Sequence, residues 1–65
     1  MKNCISQLRK DRRMTQEELA ERCGVTRQTI ISLEGGRYSP SILLAWKIAR
    51  VFQLNIEQIF LFEEE

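Results

Sequence analysis

The chain has 65 residues, of which 43% are hydrophobic and 29% are charged, and its formal net charge is +1. A chain of this length folds as one small domain with a modest core, so we do not expect an enclosed active site. No apolar run approaches the roughly 20 residues that cross a bilayer, and no secretory leader opens the chain. We therefore expect a cytoplasmic protein with no membrane partner.

The charges are unevenly distributed along the chain. Residues 1–50 carry ten basic and five acidic side chains, a net charge of +5, whereas residues 51–65 carry four glutamates and no basic side chain. We predict a single domain at residues 1–62 and an acidic tail at residues 63–65. The basic surface should lie away from the C-terminal end.

The first helix is predicted to start near the N-terminus. Asn3 can cap it, and Ile5 and Leu8 have the spacing of its buried stripe. The helical pattern extends to about Arg13.

A second and a third helix follow closely. Thr15 and Glu18 have the spacing of a capping box, in which each side chain satisfies a free backbone N–H of the first turn. Gly24 ends the second helix, because glycine readily adopts a positive φ. Thr26 caps the third helix, which ends at the two glycines of residues 35–36.

A loop separates these helices from the second half of the chain. Pro40 disfavours helix in the residue before it, and Ser41 then caps a fourth helix that runs to about Phe52. Asn55 and Gln58 have capping-box spacing for a short fifth helix. The conformation of residues 61–65 stays open. Their alternating large apolar residues are also compatible with a short strand that pairs with the N-terminal residues.

Between Gln16 and Gly35, seven positions carry the residue types that two short helices crossing at a steep angle require. They are Leu19, Ala20, Cys23, Gly24, Val25, Ile30 and Leu33. Ala20 is small where the next helix passes close, Gly24 makes the turn, and Val25 fills the gap between the helices. This pattern predicts a helix-turn-helix motif at residues 16–35.

The run TQEELAERCGVTRQTIISLEGGRYSPS, followed by an aliphatic helix and NIEQIF, resembles the Cro/CI-type (XRE) family of bacterial and phage regulators. The resemblance covers nearly the whole chain. It implies an all-α, compact five-helix, lambda-repressor-like DNA-binding domain, with a short C-terminal extended segment still open. It also implies a homodimer that binds double-stranded operator DNA, with the second motif helix in the major groove.

A helical wheel of the third helix places Arg27, Gln28, Ile31 and Ser32 on one outward face, and we predict that these four residues read DNA bases. Arg27 can donate two hydrogen bonds to guanine, Gln28 can pair with adenine, and Ile31 can contact a thymine methyl. Two alternatives stay open. Arg27 also fits a phosphate contact or a solvated surface residue, and Ile31 also fits a protein interface.

We predict contacts to the DNA backbone from five further residues, which are Gln16, Thr26, Thr29, Arg37 and Tyr38. Gln16 matches a family glutamine that binds a phosphate, helped by the positive end of its own helix. Thr29 fits a phosphate contact and a hydrogen bond within its helix equally well. Arg37 and Tyr38 match family positions beside the same half-site; the alternative is a loop cation and a partly packed ring.

The resemblance also concerns structural positions. Arg9 and Glu34 align with a family pair that forms a partly buried salt bridge between the first and third helices. Gln53 stands where a glycine frequently ends a helix, so we expect a strained or differently built turn there.

Leu43 lies on the outward side of the fourth helix, where the family commonly has a charged residue. With Trp46, Phe60 and Phe62 it would form a hydrophobic surface, and we predict a dimer interface there. The alternative is partial coverage of these side chains by the tail.

The chain offers little for catalysis. It has no histidine, no glycine-rich phosphate loop and no metal-spaced ligands, and we interpret Cys4 and Cys23 as free thiols. We expect no enzyme activity, metal, cofactor or small-molecule ligand. The predicted function is sequence-specific DNA binding by a transcriptional repressor at an inverted-repeat operator. The alternative is a protein-interaction module, an antitoxin or adaptor, that uses the same fold.

Overall fold

The computed structural model of the chain describes residues 1–62. Five helices follow one another: α1 (Ile5–Asp11), α2 (Gln16–Cys23), α3 (Arg27–Glu34), α4 (Ile42–Phe52) and α5 (Ile56–Ile59). The predicted all-α, five-helix fold is confirmed. None of the helices within residues 1–62 is long and apolar enough to span a membrane. The predicted acidic tail at residues 63–65 lies outside the described residues.

Short polar side chains start three of the helices. Each cap hydroxyl accepts a hydrogen bond from the backbone N–H three residues ahead, which satisfies a free donor of the first turn. These caps are Thr15, Thr26 and Ser41. The Glu18 carboxylate accepts the Thr15 backbone N–H in return, at 3.1 Å. Hydrogen bonding from this N–H, and secondarily from the Thr15 hydroxyl, lowers the pKa of Glu18.

The first helix is shorter than predicted. It begins at Ile5 with Cys4, not the predicted Asn3, at the N-cap position, and the Asn3 side chain accepts the Ile5 backbone N–H from one residue further back, at 3.2 Å. It ends at Asp11 rather than at Arg13, which has a left-handed φ of 53° and so leaves the helical path. The Asn3 amide also donates to the Leu33 carbonyl at 2.8 Å, so this side chain links the N-terminal segment to the end of α3.

The apolar faces of the helices meet in one core. α2 packs against both α3 and α4, and α5 packs against α4. The buried side chains of this core are Ile5, Met14, Leu19, Ala20, Cys23, Ile30, Leu33, Leu44, Ala45, Ile48, Ala49, Phe52, Ile59 and Phe60. Cys23 is a free thiol. Its burial raises the pKa of the thiol, an effect that the charge of Lys47 partly offsets, so the group stays protonated in the core.

The N-terminal segment pairs with the residues that follow α5. Phe60 lies opposite Asn3 in an isolated antiparallel β-bridge, and the Leu61 N–H donates to the Lys2 carbonyl at 2.8 Å. The C-terminal segment is therefore extended, and its β-pairing with the N-terminal residues is limited to this bridge. The predicted exposure of Phe60 in a dimer surface is wrong, because the bridge and the end of α5 hold its ring in the core, where it is 1% exposed.

The end of α4 has a left-handed backbone. Gln53 has a φ of 55° and a ψ of 42°, which glycine adopts readily and other residues adopt with strain. The strain expected from the missing glycine is present at this turn. Arg12 reinforces the same end, because its guanidinium donates to the Phe52 carbonyl at 3.1 Å and lies 5.0 Å above the Phe52 ring.

Replacement of Gln53 by glycine should therefore stabilise the domain. Relief of the strain exceeds the extra flexibility that glycine gives the unfolded chain, and we expect a gain of about 0.5–1 kcal/mol. For a domain of this size that raises the melting temperature by about 2–8 °C. Gln53→Ala keeps the Cβ atom and serves as the control, with no such rise. A Gln53→Gly variant that melts at or below the wild-type temperature would contradict this interpretation.

Candidate nucleic-acid interface

A tight turn connects α2 to α3. Gly24 has a left-handed φ of 69°. A Cβ atom added there would meet only the Lys47 Nζ, at 4.0 Å, so the backbone conformation rather than crowding requires glycine. Val25 then donates its N–H to the Ala20 carbonyl at 3.0 Å and packs against the core. The turn is built as the sequence pattern predicts.

The third helix has one buried and one outward face. Ile30 and Leu33 have no exposed surface and anchor the helix in the core. The four predicted base-reading residues lie together on the other side. Arg27 and Gln28 are exposed in the first turn, whereas Ile31 and Ser32 are half-buried. The first two therefore reach furthest from the protein.

Hydroxyl groups join the start of α3 to the loop that follows it. The Thr26 and Thr29 hydroxyls lie 2.9 Å apart, and the Thr26 hydroxyl accepts the Thr29 backbone N–H at 3.2 Å. The Thr29 hydroxyl is thus held by the cap hydroxyl rather than by a carbonyl of its own helix, and a phosphate contact stays a prediction. The Tyr38 hydroxyl donates to the Thr29 carbonyl at 3.4 Å, so its ring lies against α3.

The loop after α3 is fixed from the other side by the N-terminus. Gly36 has a left-handed φ of 73°, and its carbonyl accepts a hydrogen bond from the Met1 ammonium group at 2.8 Å. The Arg37 N–H donates to the Ser32 carbonyl at 3.4 Å. Arg37 is exposed and lies just past the end of α3, beside the outward face.

An ion pair connects the three helices nearest this face. The Arg9 Nε donates to the Glu34 Oε2 at 2.8 Å, and the two side chains are 12% and 9% exposed. Arg9 also donates to the Met14 carbonyl at 2.9 Å. The Gln16 amide donates to the Glu34 Oε1 at 3.1 Å. The family-implied pair is thus formed between α1 and α3, and Gln16 on α2 joins it.

The starts of α2 and α3 border a shallow depression of about 540 Å³. Its lining residues are Arg9, Thr15, Gln16, Glu17 and Arg27. The Arg27 guanidinium and the Gln16 amide are donors that suit an anion, and the N-terminus of α2 adds a partial positive charge, which the exposed Glu17 carboxylate partly offsets. The depression thus brings Gln16 and Arg27 to one place, while Arg37 follows the other end of α3 and Tyr38 reaches back to Thr29. Among residues 1–62, no three His, Cys, Asp or Glu side chains gather as a metal-binding group.

A second surface is apolar and lies along α4 and the C-terminal segment. Leu43, Trp46 and Phe62 are exposed there, as the sequence predicts. Ile42, 87% exposed, lines a shallow groove together with Phe62, and Leu61 is 51% exposed in the same C-terminal segment; neither was predicted. No short-range signal singles out Ile42, because Leu44 and Ala45 in the same first turn are buried.

The helix-turn-helix family model matches residues 5–59. An uncharacterized HTH-type transcriptional regulator of Archaeoglobus fulgidus is 57% identical over 65 residues, which are all of this chain and 92% of that protein. A protein of Methanothermobacter thermautotrophicus with the same description is 58% identical, over all of this chain and 96% of its own length. A Bacillus subtilis relative is 48% identical over all of this chain and 98% of its own.

The fold is also similar to a solved structure. The crystal structure of a transcriptional regulator from Listeria innocua superposes with a TM-score of 0.81 at 22% sequence identity. All of this chain is covered, and it spans 64% of that chain. At this identity the likeness concerns the fold alone.

The Arg9–Glu34 pair generates a prediction about stability. Arg9→Met or Glu34→Met leaves one charge largely buried without its partner, which should destabilise the domain by about 3 kcal/mol. The double variant Arg9→Met/Glu34→Met removes both charges together and should be more stable than either single variant. Urea unfolding followed by circular dichroism measures all three. Single variants as stable as the wild type, or a double variant with the summed loss, would contradict the expected coupling.

Proposed function

The chain belongs to the Cro/CI-type (XRE) helix-turn-helix family of transcriptional regulators, and from this premise we propose that it represses transcription by inserting α3 into the major groove of an inverted-repeat operator. The single observation that carries the proposal is the exposure of Arg27 and Gln28 on the first turn of a helix anchored by Ile30 and Leu33. A helix held in this way presents its outward side chains to base edges with little motion.

The chemistry of this face suits base recognition. Arg27 donates two parallel hydrogen bonds to guanine O6 and N7, and Gln28 pairs with adenine N6 and N7. Ile31 lies one turn further along, half-buried, and contacts a thymine methyl. Ser32 completes the face with a hydroxyl that bonds to either kind of base.

Residues around α3 hold the DNA backbone in place. Gln16 lies in the depression at the start of α2, Arg37 follows the other end of the recognition helix, and the Tyr38 hydroxyl lies against Thr29 of that helix. Thr26 and Thr29 present their hydroxyls at the N-terminus of α3. Such contacts fix the register on the duplex and carry no direct sequence information.

The alternative function, a protein-interaction module, has less support at α3. An interface of that kind depends on clustered apolar or aromatic anchors. On the outward face of α3, Ile31 is the one apolar side chain among Arg27, Gln28 and Ser32. The apolar surface lies elsewhere, on α4 and the C-terminal segment, and suits a partner that leaves α3 free.

That partner is a second copy of the chain. The exposed parts of Ile42, Leu43, Trp46, Leu61 and Phe62 amount to roughly 500–600 Å² per protomer, given about 150–250 Å² for an aromatic side chain. A standard interface buries about 800 Å² per partner, of which a little over half is apolar. A two-fold dimer sets two recognition helices about 34 Å apart, which matches successive major grooves.

Repression follows from occupancy of the operator. A dimer bound across a promoter occludes the polymerase in the cytoplasm, where the DNA is, and this mechanism needs no metal, cofactor or small-molecule ligand. The level of the protein then sets the level of repression by mass action.

Selection from random duplex DNA should enrich a two-fold symmetric motif. Arg27→Ala and Gln28→Ala should each weaken binding to it by about 5- to 150-fold per half-site, a loss that occurs twice in the dimer, and relax one base position in each half-site. Arg37→Ala should weaken all sequences alike and reduce the salt dependence by about one unit per half-site. Arg22→Ala is the matched control, because Arg22 is exposed near the opposite end of α2. Selection that enriches no motif would contradict sequence-specific operator binding.

The dimer has its own test. Phe62→Ser removes a ring that is 60% exposed and should raise the dimer dissociation constant at least tenfold in analytical ultracentrifugation. Gln7→Ser changes an exposed side chain on α1 and should leave the constant unchanged. A wild-type protein that stays monomeric at high micromolar concentration, with and without operator, would exclude the homodimer.

A further inference from the structure

The Gln16 side chain is held by another residue in the DNA-free protein. Its amide Nε2 donates to the Glu34 Oε1 at 3.1 Å, although the two residues are 18 positions apart in the chain. Gln16 is half-buried and also borders the depression beside Arg27. One of its two amide hydrogens is therefore engaged inside the protein.

The carboxylate dictates which way the amide is turned. The Glu34 Oε1 is an acceptor only, so an amide turned by 180° would place two acceptors against each other. The Gln16 nitrogen must consequently face Glu34. In this orientation the second N–H of the same nitrogen is a donor for an acceptor outside the pair, and a phosphate oxygen is such an acceptor.

The negative charge of Glu34 would by itself repel a phosphate nearby. Arg9 neutralises it, because its Nε donates to the Oε2 at 2.8 Å and its Nη2 donates to the Oε1 at 3.3 Å. The third guanidinium nitrogen donates to the Met14 carbonyl at 2.9 Å, which fixes Arg9 in turn. The pair thus supplies a rigid acceptor for Gln16 with no net charge.

We propose that Glu34 is a positioning residue for DNA binding, which holds the Gln16 amide with its second N–H directed at a phosphate in the depression. This inference rests on the proposed function. Glu34, at the end of α3, then contributes to the contact with the DNA backbone through Gln16 and touches no DNA itself. The Gln16 side chain is then already immobilised in the free protein, so binding costs less conformational entropy. More of the free energy of its hydrogen bond to the phosphate therefore contributes to affinity.

A double-mutant cycle tests the inference. Gln16→Ala is made in the wild type and in the Arg9→Met/Glu34→Met background, which has the same net charge, and the operator dissociation constant of each protein is measured. We expect Gln16→Ala to weaken binding about tenfold in the wild type and less than twofold in that background. Glu34→Gln retains an acceptor oxygen, so in a Glu34→Gln background Gln16→Ala should again weaken operator binding at least fivefold. An equal cost in both backgrounds would show that Glu34 is only structural.

A measurement on the free wild-type protein needs no variant to fold. Side-chain ¹⁵N relaxation should show the Gln16 amide more restricted than the amide of the exposed Gln28. Equal mobility of the two would overturn the inference. So would a Gln16→Ala variant with wild-type affinity, which leaves operator binding itself intact. Failure of the wild type to select any operator would instead remove the proposed function.

Discussion

The ion pair between Arg9 and Glu34 organises the side of the domain from which α3 projects, because it links α1 to α3 and supplies the acceptor for Gln16 on α2. It joins α1 to the end of α3 at 2.8 Å in a setting where both side chains are almost covered. A charge in such a place is strongly unfavourable alone, so either partner requires the other. The pair fixes α3 against the body of the protein. The outward face of α3 is thereby held in place, and the same Glu34 carboxylate accepts a hydrogen bond from the Gln16 amide.

Much of the fold follows from short-range signals in the sequence. A helix cap or a left-handed turn depends on residues within about four positions, so Thr15, Ser41 and Gly24 could be interpreted without tertiary information. The outward face of α3 was predictable for a related reason. Helical periodicity opposes Arg27 and Gln28 to the buried stripe, whatever the neighbouring helices are.

The features that the sequence did not reveal depend on contacts between distant positions. Phe60 turns into the core because its segment bridges to Asn3, 57 positions earlier. The bond from Gln16 to Glu34 requires α2 and α3 to be docked in register. Neither composition nor periodicity reports such pairings. The same holds for the surface at Ile42, whose exposure depends on what fails to cover it.

The domain presents two unlike surfaces, a polar face on α3 and an apolar one on α4 and the C-terminal segment. We propose that DNA binds to the first. A solution NMR titration of the ¹⁵N-labelled protein with its selected duplex distinguishes them most directly. We predict the largest shift changes at residues 26–32, with further changes at Gln16 and Arg37. Changes centred on residues 42–46 and 61–62, with the α3 resonances unmoved, would contradict the account.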